Sequence, residues 1–157
     1  MRFLVQEVTK AGVMAEGRLT GTIGEGLLVF IGVGREDTEQ IADRMTDKLL
    51  GLRIFRDDAG KTNRSLADVG GELMLVSQFT LYADCRHGHR PGFTDAAEPA
   101  LAEHLYNYIV SRCRQKVPVV RTGVFGAHME VSLVNDGPFT IWLDSDSLLK
   151  RRKQGET

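Results

Sequence analysis

Apolar and polar residues alternate at period two on both sides of the stretch VNDGPFTIW, residues 134–142. Met129, Val131 and Leu133 precede its centre, and Phe139, Ile141 and Leu143 follow. That is the pattern of half-buried strands. Asn135, Asp136 and Gly137 between them predict a hairpin turn. Pro138 then occupies the start of the second strand, where it has no N–H to donate and forces Gly137 out of the helical region. A proline there needs a reason.

Residues 2–9 and 12–16 read as short strands, and 18–23 as another before the break at Gly24–Gly26. LLVFIGVG (27–34) is a continuous apolar run ended by glycine, the pattern of a strand covered on both faces. A helix is predicted next, with Asp37 as its cap and Gln40 in capping-box position. Ile41, Ala42, Met45, Leu49 and Leu50 form its apolar stripe, and Gly51 stops it. LRIF (52–55) is strand-like, DDAGK (57–61) is a turn, and ELMLVSQFTLY (72–82) is the longest strand candidate. A second helix runs from Pro99 to about Lys116, burying Leu101, Leu105, Ile109 and Cys113, before Pro118 ends it. Strands and two well-patterned helices in one chain predict an α/β or α+β class. Residues 1–149 form one domain, and the polar run KRRKQGET (150–157) is expected to fray.

Composition narrows the function classes. The chain has 157 residues and a formal net charge of −1, which argues against a broadly basic nucleic-acid binder but leaves room for a local basic patch. Cys85 and Cys113 make no paired-thiol motif and read as reduced thiols. Gln6 and Glu7 interrupt the N-terminal apolar run where a signal peptide needs continuity, and no run approaches a membrane span. The expectation is a soluble, cytoplasmic protein with no membrane association.

Within ELMLVSQFTLY the apolar run is broken by Ser77, Gln78 and Thr80. Polar groups inside an apolar strand find partners or face a cavity. Two readings stand: hydroxyls bonding neighbouring backbone, or the wall of a site in which hydroxyls and main-chain N–H groups point at a ligand. SQFTL (77–81) and NDGPFT (135–140) together resemble the two signature motifs of D-aminoacyl-tRNA deacylases. The resemblance extends over nearly the whole chain, through GLLVFIGV, LRIF, Arg90–Phe93 and TGVFGAHMEV at 122–131.

The resemblance implies an α/β fold: a single compact domain with a mixed β-sheet or partial barrel and two main helices. It implies a homodimer, with the active site at the subunit interface, that hydrolyses the ester of D-aminoacyl-tRNA and of glycyl-tRNA mischarged on tRNA-Ala. No cofactor and no metal are implied. Ser77, Gln78, Phe79 and Thr80 become the catalytic candidates, with the N–H groups of Phe79 and Thr80 as donors to the developing oxyanion. Gly137, Pro138 and Asn135 become substrate-binding candidates. The family's Gly–Pro bond is cis, a geometry far less costly before proline than elsewhere. It reaches into the partner's site, where the Gly137 carbonyl accepts from the substrate's α-amino group and an L side chain collides with the loop. Phe125, Gly126 and Met129 resemble the wall of the family's adenosine pocket; Phe125 reads equally well as core.

For the nucleophile, Thr80 competes with a water molecule helped by the terminal ribose 2′-OH, and water is favoured because no general base stands at a recognisable spacing from Thr80. One departure stands out: the family has an arginine after the first-strand glutamine, helping to fix the Gly–Pro carbonyl, whereas Glu7 follows Gln6 here. Arg2 could take that role, or the motif is held differently. Between residues 86 and 121, Arg86, Arg90, Arg112, Arg114, Lys116 and Arg121 outnumber Asp95, Glu98 and Glu103, an excess suited to tRNA phosphates or to an ordinary solvated face. A metal site in DCRHGH (84–89) matches no standard zinc spacing. A serine hydrolase lacks a nucleophile elbow around Ser77. A non-catalytic RNA- or protein-binding module is the rival of another class, and it has no need of both motifs.

Overall fold

The alternation at the N-terminus forms one strand, β1 (Arg2–Ala15), where two were expected. No turn interrupts it because its partners pair straight through residues 9–12. The computed structural model describes residues 1–149; the polar stretch 150–157, expected to fray, lies outside the described residues. Glu16 and Gly17, both at positive φ, then reverse the chain into β2 (Arg18–Ile23). Ala15 pairs with Arg18 across that turn, as a two-residue primed hairpin requires.

β3 (Gly26–Gly32) pairs antiparallel with the first half of β1, and β2 with the second half. Further along come α1 (Glu39–Gly51), a small hairpin of β4 (Phe55–Arg56) and β5 (Thr62–Arg64), and β6 (Glu72–Ser77). α2 (Pro99–Arg114), β7 (Val120–Thr122), β8 (Met129–Asp144) and a short α3 (Ser145–Leu148) complete the described chain. β6 lies parallel to β3, and β7 parallel to β6. β8 takes the whole of one edge of β1, so β2 and β3 share the other and the mixed sheet forks and curls.

This arrangement gives β3 a core on each face. Leu27, Val29 and Ile31 face the larger cluster, with Met45 and Leu49 from α1 and Leu105, Ile109 and Cys113 from α2. Leu28 faces the smaller one with Val8, Val13, Met74 and Val76, inside the curl. Each fully buried Leu, Ile or Phe contributes about 1.5–3 kcal/mol relative to exposure, so the paired cores fix the register of β3 and β6, whose ends carry the site. The apolar stripes of both helices lie where their spacing predicts, with Leu101 only partly buried. Cys113 is buried, Cys85 is exposed, and both are free thiols. Among the described residues no helix is long and apolar enough to cross a membrane.

Four local expectations are corrected. Thr38 caps α1, its Oγ1 accepting from Ile41 N–H at 3.3 Å. Asp37 instead accepts from Gly34 N–H at 2.6 Å and pairs with the Met1 ammonium at 2.8 Å. The LRIF strand starts only at Phe55, because α1 runs to Gly51 and Leu52 N–H still closes onto Leu49 C=O. The 72–82 strand stops at Ser77, and Phe79–Tyr82 is a 3-10 turn. β3, its partner, ends at Gly32, so after Gln78 N–H bonds Ile31 C=O at 2.7 Å the chain has no ladder to follow.

The fourth correction concerns the opening motif. Residues around Gly137 do not make a hairpin: β8 passes through as one strand, and both halves pair with β1. Gln6 faces Thr140 and Val8 faces Asn135, so residues 136–139 stand opposite Glu7 alone and bulge from the ladder. The Gly137–Pro138 peptide is cis and Gly137 has φ 123°. Proline is tolerated because a bulge has no ladder hydrogen bond for its missing N–H to break.

Candidate active site

A cavity of about 590 Å³ opens where β3 and β6 end. Ile31, Val76 and Ser77 form its floor, and Gln78 and Phe79 lead from it into the 3-10 turn. Pro99, Ala102 and Tyr106 of α2 make one wall, and Phe125–Met129 the other. The segments SQFT and FGAHM, far apart in sequence, therefore meet across one space.

The turn rests on two glycines. A Cβ on Gly32 would lie 3.0 Å from Leu81 Cβ and 3.2 Å from Gln78 O, and one on Gly34 would lie 2.7 Å from Tyr82 Oη. Sequence reading took these glycines as strand terminators; that they also form the seat of the turn depends on a tertiary contact. Arg2 locks the turn from the other side. Its Nη1 donates to Leu81 O at 2.8 Å, its Nε meets Asp144 at 3.2 Å, and its guanidinium lies 4.4 Å from the Tyr82 ring centroid. Burial, reinforced by Asp37, pushes the Tyr82 hydroxyl well above its ordinary pKa, so it stays neutral beside that cation.

Within the turn, Gln78 Nε2 donates to Thr80 Oγ1. The N–H groups of Phe79 and Thr80 open a 3-10 helix, and the first donors of a helix have no partner inside it. Phe79 is 56% exposed, its ring edge-on to Phe93 at 5.0 Å. Phe93 is held by the paired main-chain bonds of Asp84 and Gly92, at 2.7 and 2.9 Å. Phe125 satisfies both of its readings: it packs against the larger core, 6.2 Å from the Tyr106 ring, and lines the cavity. Gly126 turns the wall at φ 76°, and Met129 joins the wall to the smaller core. Tyr106, a cavity residue the sequence reading missed, donates to Leu75 O at 2.8 Å, and burial pushes its hydroxyl up to about 12. Its place on α2 next to Leu105 was the available signal.

Gly137, Pro138 and Asn135 lie outside this cavity. Arg2, facing Gly32, marks the turn's end of the ladder, and Glu7, facing Leu27, marks the loop. At about 3.4 Å per residue the two are roughly 17 Å apart along the strand. The Asn135 amide is committed to main chain, Nδ2 donating to Glu7 O at 2.8 Å and Phe139 O at 2.9 Å. It therefore clamps the bulge at both ends. Arg2 is engaged with Leu81, Tyr82 and Asp144 and does not hold the loop.

A sequence-family profile described as D-Tyr-tRNA(Tyr) deacylase matches residues 4–144. A D-aminoacyl-tRNA deacylase of Desulfitobacterium hafniense is 55% identical over 93% of this chain and 98% of its own length. That of Thermotoga petrophila is 53% identical over 94% and 99%. The chain belongs to the D-aminoacyl-tRNA deacylase family. It is an ester hydrolase acting on charged tRNA. A solved structure described as c-Myc DNA Unwinding Element Binding Protein superposes with TM-score 0.87 at 38% identity, over 92% of this chain and 98% of the other. Another, described as a probable eukaryotic D-amino acid tRNA deacylase, shares the fold with TM-score 0.79 at 16% identity, over 90% and 97%.

The deacylase carries less free positive charge between residues 86 and 121 than its sequence suggests. Arg86 pairs with Asp84 at 2.7 Å, Arg112 with Asp43 at 3.1 Å and Lys116 with Asp47 at 2.8 Å. Two of these acids come from α1, outside the window the sequence count used. Arg90, Arg114 and Arg121 have no ion-pair partner among the described residues and remain the phosphate candidates. The same Arg86 occupies the Asp84 carboxylate of the DCRHGH segment.

Proposed function

We propose that this deacylase hydrolyses the ester of D-aminoacyl-tRNA, and of glycine mischarged on tRNA-Ala, at a site that two copies of the chain complete together. The observation that carries the reading is the separation of the motifs. Gly137 and Pro138 are exposed on a bulge of β8, away from the cavity that holds Ser77, Gln78 and Phe79. No described strand pairs with the outer edge of β8, on which Val134 and Trp142 are exposed. A second copy docked on that edge can bring its loop to the turn of the first.

In this arrangement the cavity takes the terminal adenosine; its volume is in the usual range for small-molecule sites. The partner's Gly137 carbonyl accepts from the substrate's α-amino group. With amine and ester both fixed, the stereocentre decides where the side chain points: a D side chain leaves the site, and an L side chain meets the Gly137–Pro138 backbone. Rejection of this kind ignores which D residue is present and passes glycine. The Phe79 and Thr80 N–H groups receive the charge developing on the ester carbonyl oxygen. Water attacks, assisted by the ribose 2′-OH. Thr80 Oγ1 accepts from the Gln78 amide, which cannot take a proton, so their pairing supplies no base for a threonine nucleophile.

Matched D- and L-aminoacyl-tRNAs test the selectivity, and equal rates of hydrolysis would sink it. Mixing subunits tests the shared site. A Gly137→Val protein and a Gln78→Ala/Thr80→Ala protein, each inactive alone, should regain activity when mixed, since a heterodimer rebuilds one intact site. A mixture that stays inactive after verified subunit exchange refutes the arrangement.

A further inference from the structure

Glu7 is 9% exposed, and no side-chain donor among the described residues bonds its carboxylate. It is the single residue opposite the 136–139 bulge, and its main-chain carbonyl takes one of the two bonds of the Asn135 clamp. Around its side chain stand Asp136 from the bulge, Glu25 from the β2–β3 turn and Arg56 from β4. Two of these three neighbours repel it. Burial, Asp136 and Glu25 raise its pKa from the ordinary carboxylate value, and Arg56 only partly offsets them. A poorly paired buried carboxylate costs stability wherever it is ionised. Rule-breaking of that kind concentrates at functional positions.

We infer that Glu7 is a positioning residue for the 136–139 loop: its ionised carboxylate, opposed to Asp136, keeps the loop and the Gly137 carbonyl standing off the sheet. Protonation removes the repulsion and turns Glu7 into a donor, so the two acids can share a hydrogen bond and the loop settles inward. The inference rests on the reading that Gly137 meets substrate, and it adds an acid limit to that activity.

Glu7→Gln keeps the shape and removes the charge. At neutral pH its kcat/KM for a D-aminoacyl-tRNA should fall on the order of tenfold, less than the hundredfold that an ångström of misplacement brings. Its thermal midpoint should rise. The sign follows from linkage: a carboxyl whose folded pKa is raised favours folding while protonated, and that contribution is lost as pH rises through the folded pKa. The two proteins should therefore melt alike at low pH, with the variant ahead at neutral pH. Wild-type activity should show an acid limb centred above the ordinary glutamate range, absent in Glu7→Gln and moved to lower pH by the surface change Asp136→Asn. Loss of stability and activity together, including failure to fold, would make Glu7 a structural partner and overturn the proposal. So would superimposable pH profiles. A wild type that shows no preference for D over L would instead overturn the shared-site reading, which the same assay reports separately.

Discussion

The 3-10 turn and the 136–139 loop are the two halves of the proposed site, and they are secured by different means. The turn is seated by packing: two glycines beneath it, the Arg2 guanidinium behind it and Phe93 at its edge. The loop is exposed, and its described anchors are the two hydrogen bonds of Asn135 and the ladder on either side. A packed seat resists displacement because filling it forces backbone to move. A loop held by few bonds can be moved by single charges. Groups that receive developing charge belong on the rigid half, since preorganisation requires fixed donors. A stereochemical fence can stand on the softer half, provided something sets its height.

The comparison breaks most severely at the seat. Gly32→Val should displace the whole turn, because even a Cβ there crowds Leu81 and the Gln78 carbonyl. Overpacking of this kind costs about 1–3 kcal/mol, and activity on D-aminoacyl-tRNA should fall by roughly a hundredfold or more. Urea denaturation and single-turnover hydrolysis measure the two effects. On the loop, Asn135→Ala removes both clamp bonds. Stability should drop by about 1–2 kcal/mol, and the ratio of D to L hydrolysis should fall by a larger factor than the D rate itself. A variant that loses rate but keeps its D/L ratio would show that the loop is not the fence.

The two halves were also unequally legible in the sequence. The doubly buried β3, both helix stripes and the primed turn at Glu16–Gly17 follow from local pattern and tertiary burial in agreement. In ELMLVSQFTLY the polar break at Ser77 marked the right place. The strand was still read through to Tyr82, since its end is set by where β3 stops, at Gly32. At Asn135–Gly137 the turn chemistry was genuine, yet the long β1 offers one partner to both halves of β8, and continuous pairing along it replaces the hairpin. Glycine's role as a seat for Tyr82, and the neutralisation of Arg112 and Lys116 by α1, are contacts between distant segments and left no local signal.

Arg2→Lys sharpens the comparison at smaller scale. Lysine keeps the charge near Asp144 but lacks the planar fork that bonds Leu81 O while covering Tyr82. The stacking contributes about 0.5–1 kcal/mol where partly exposed. A several-fold loss of kcat with little change in the D/L ratio is expected, placing Arg2 with the turn. Thermal melting together with both substrate series reads this out, and a change confined to the D/L ratio would move Arg2 to the loop instead.

The smallest effect is expected at Asp84. Its side-chain and main-chain bonds with Arg86 hold the Asp84 carboxyl down to about 2, so it is ionised at any assay pH. A depressed carboxylate pKa adds stability that is present above the unfolded value and lost as pH falls through the folded one. Here that window lies between about 3.9 and about 2, and the pair is solvent-screened besides. What positions Phe93 beside Phe79 is the main-chain bridge between Asp84 and Gly92, which an amide side chain leaves intact. Asp84→Asn should therefore match wild type in melting point and D-aminoacyl-tRNA hydrolysis at neutral pH, with or without chelator. A large loss of activity in this variant would mean that the carboxylate itself serves the site, and that the support of the turn extends through charge as well as packing.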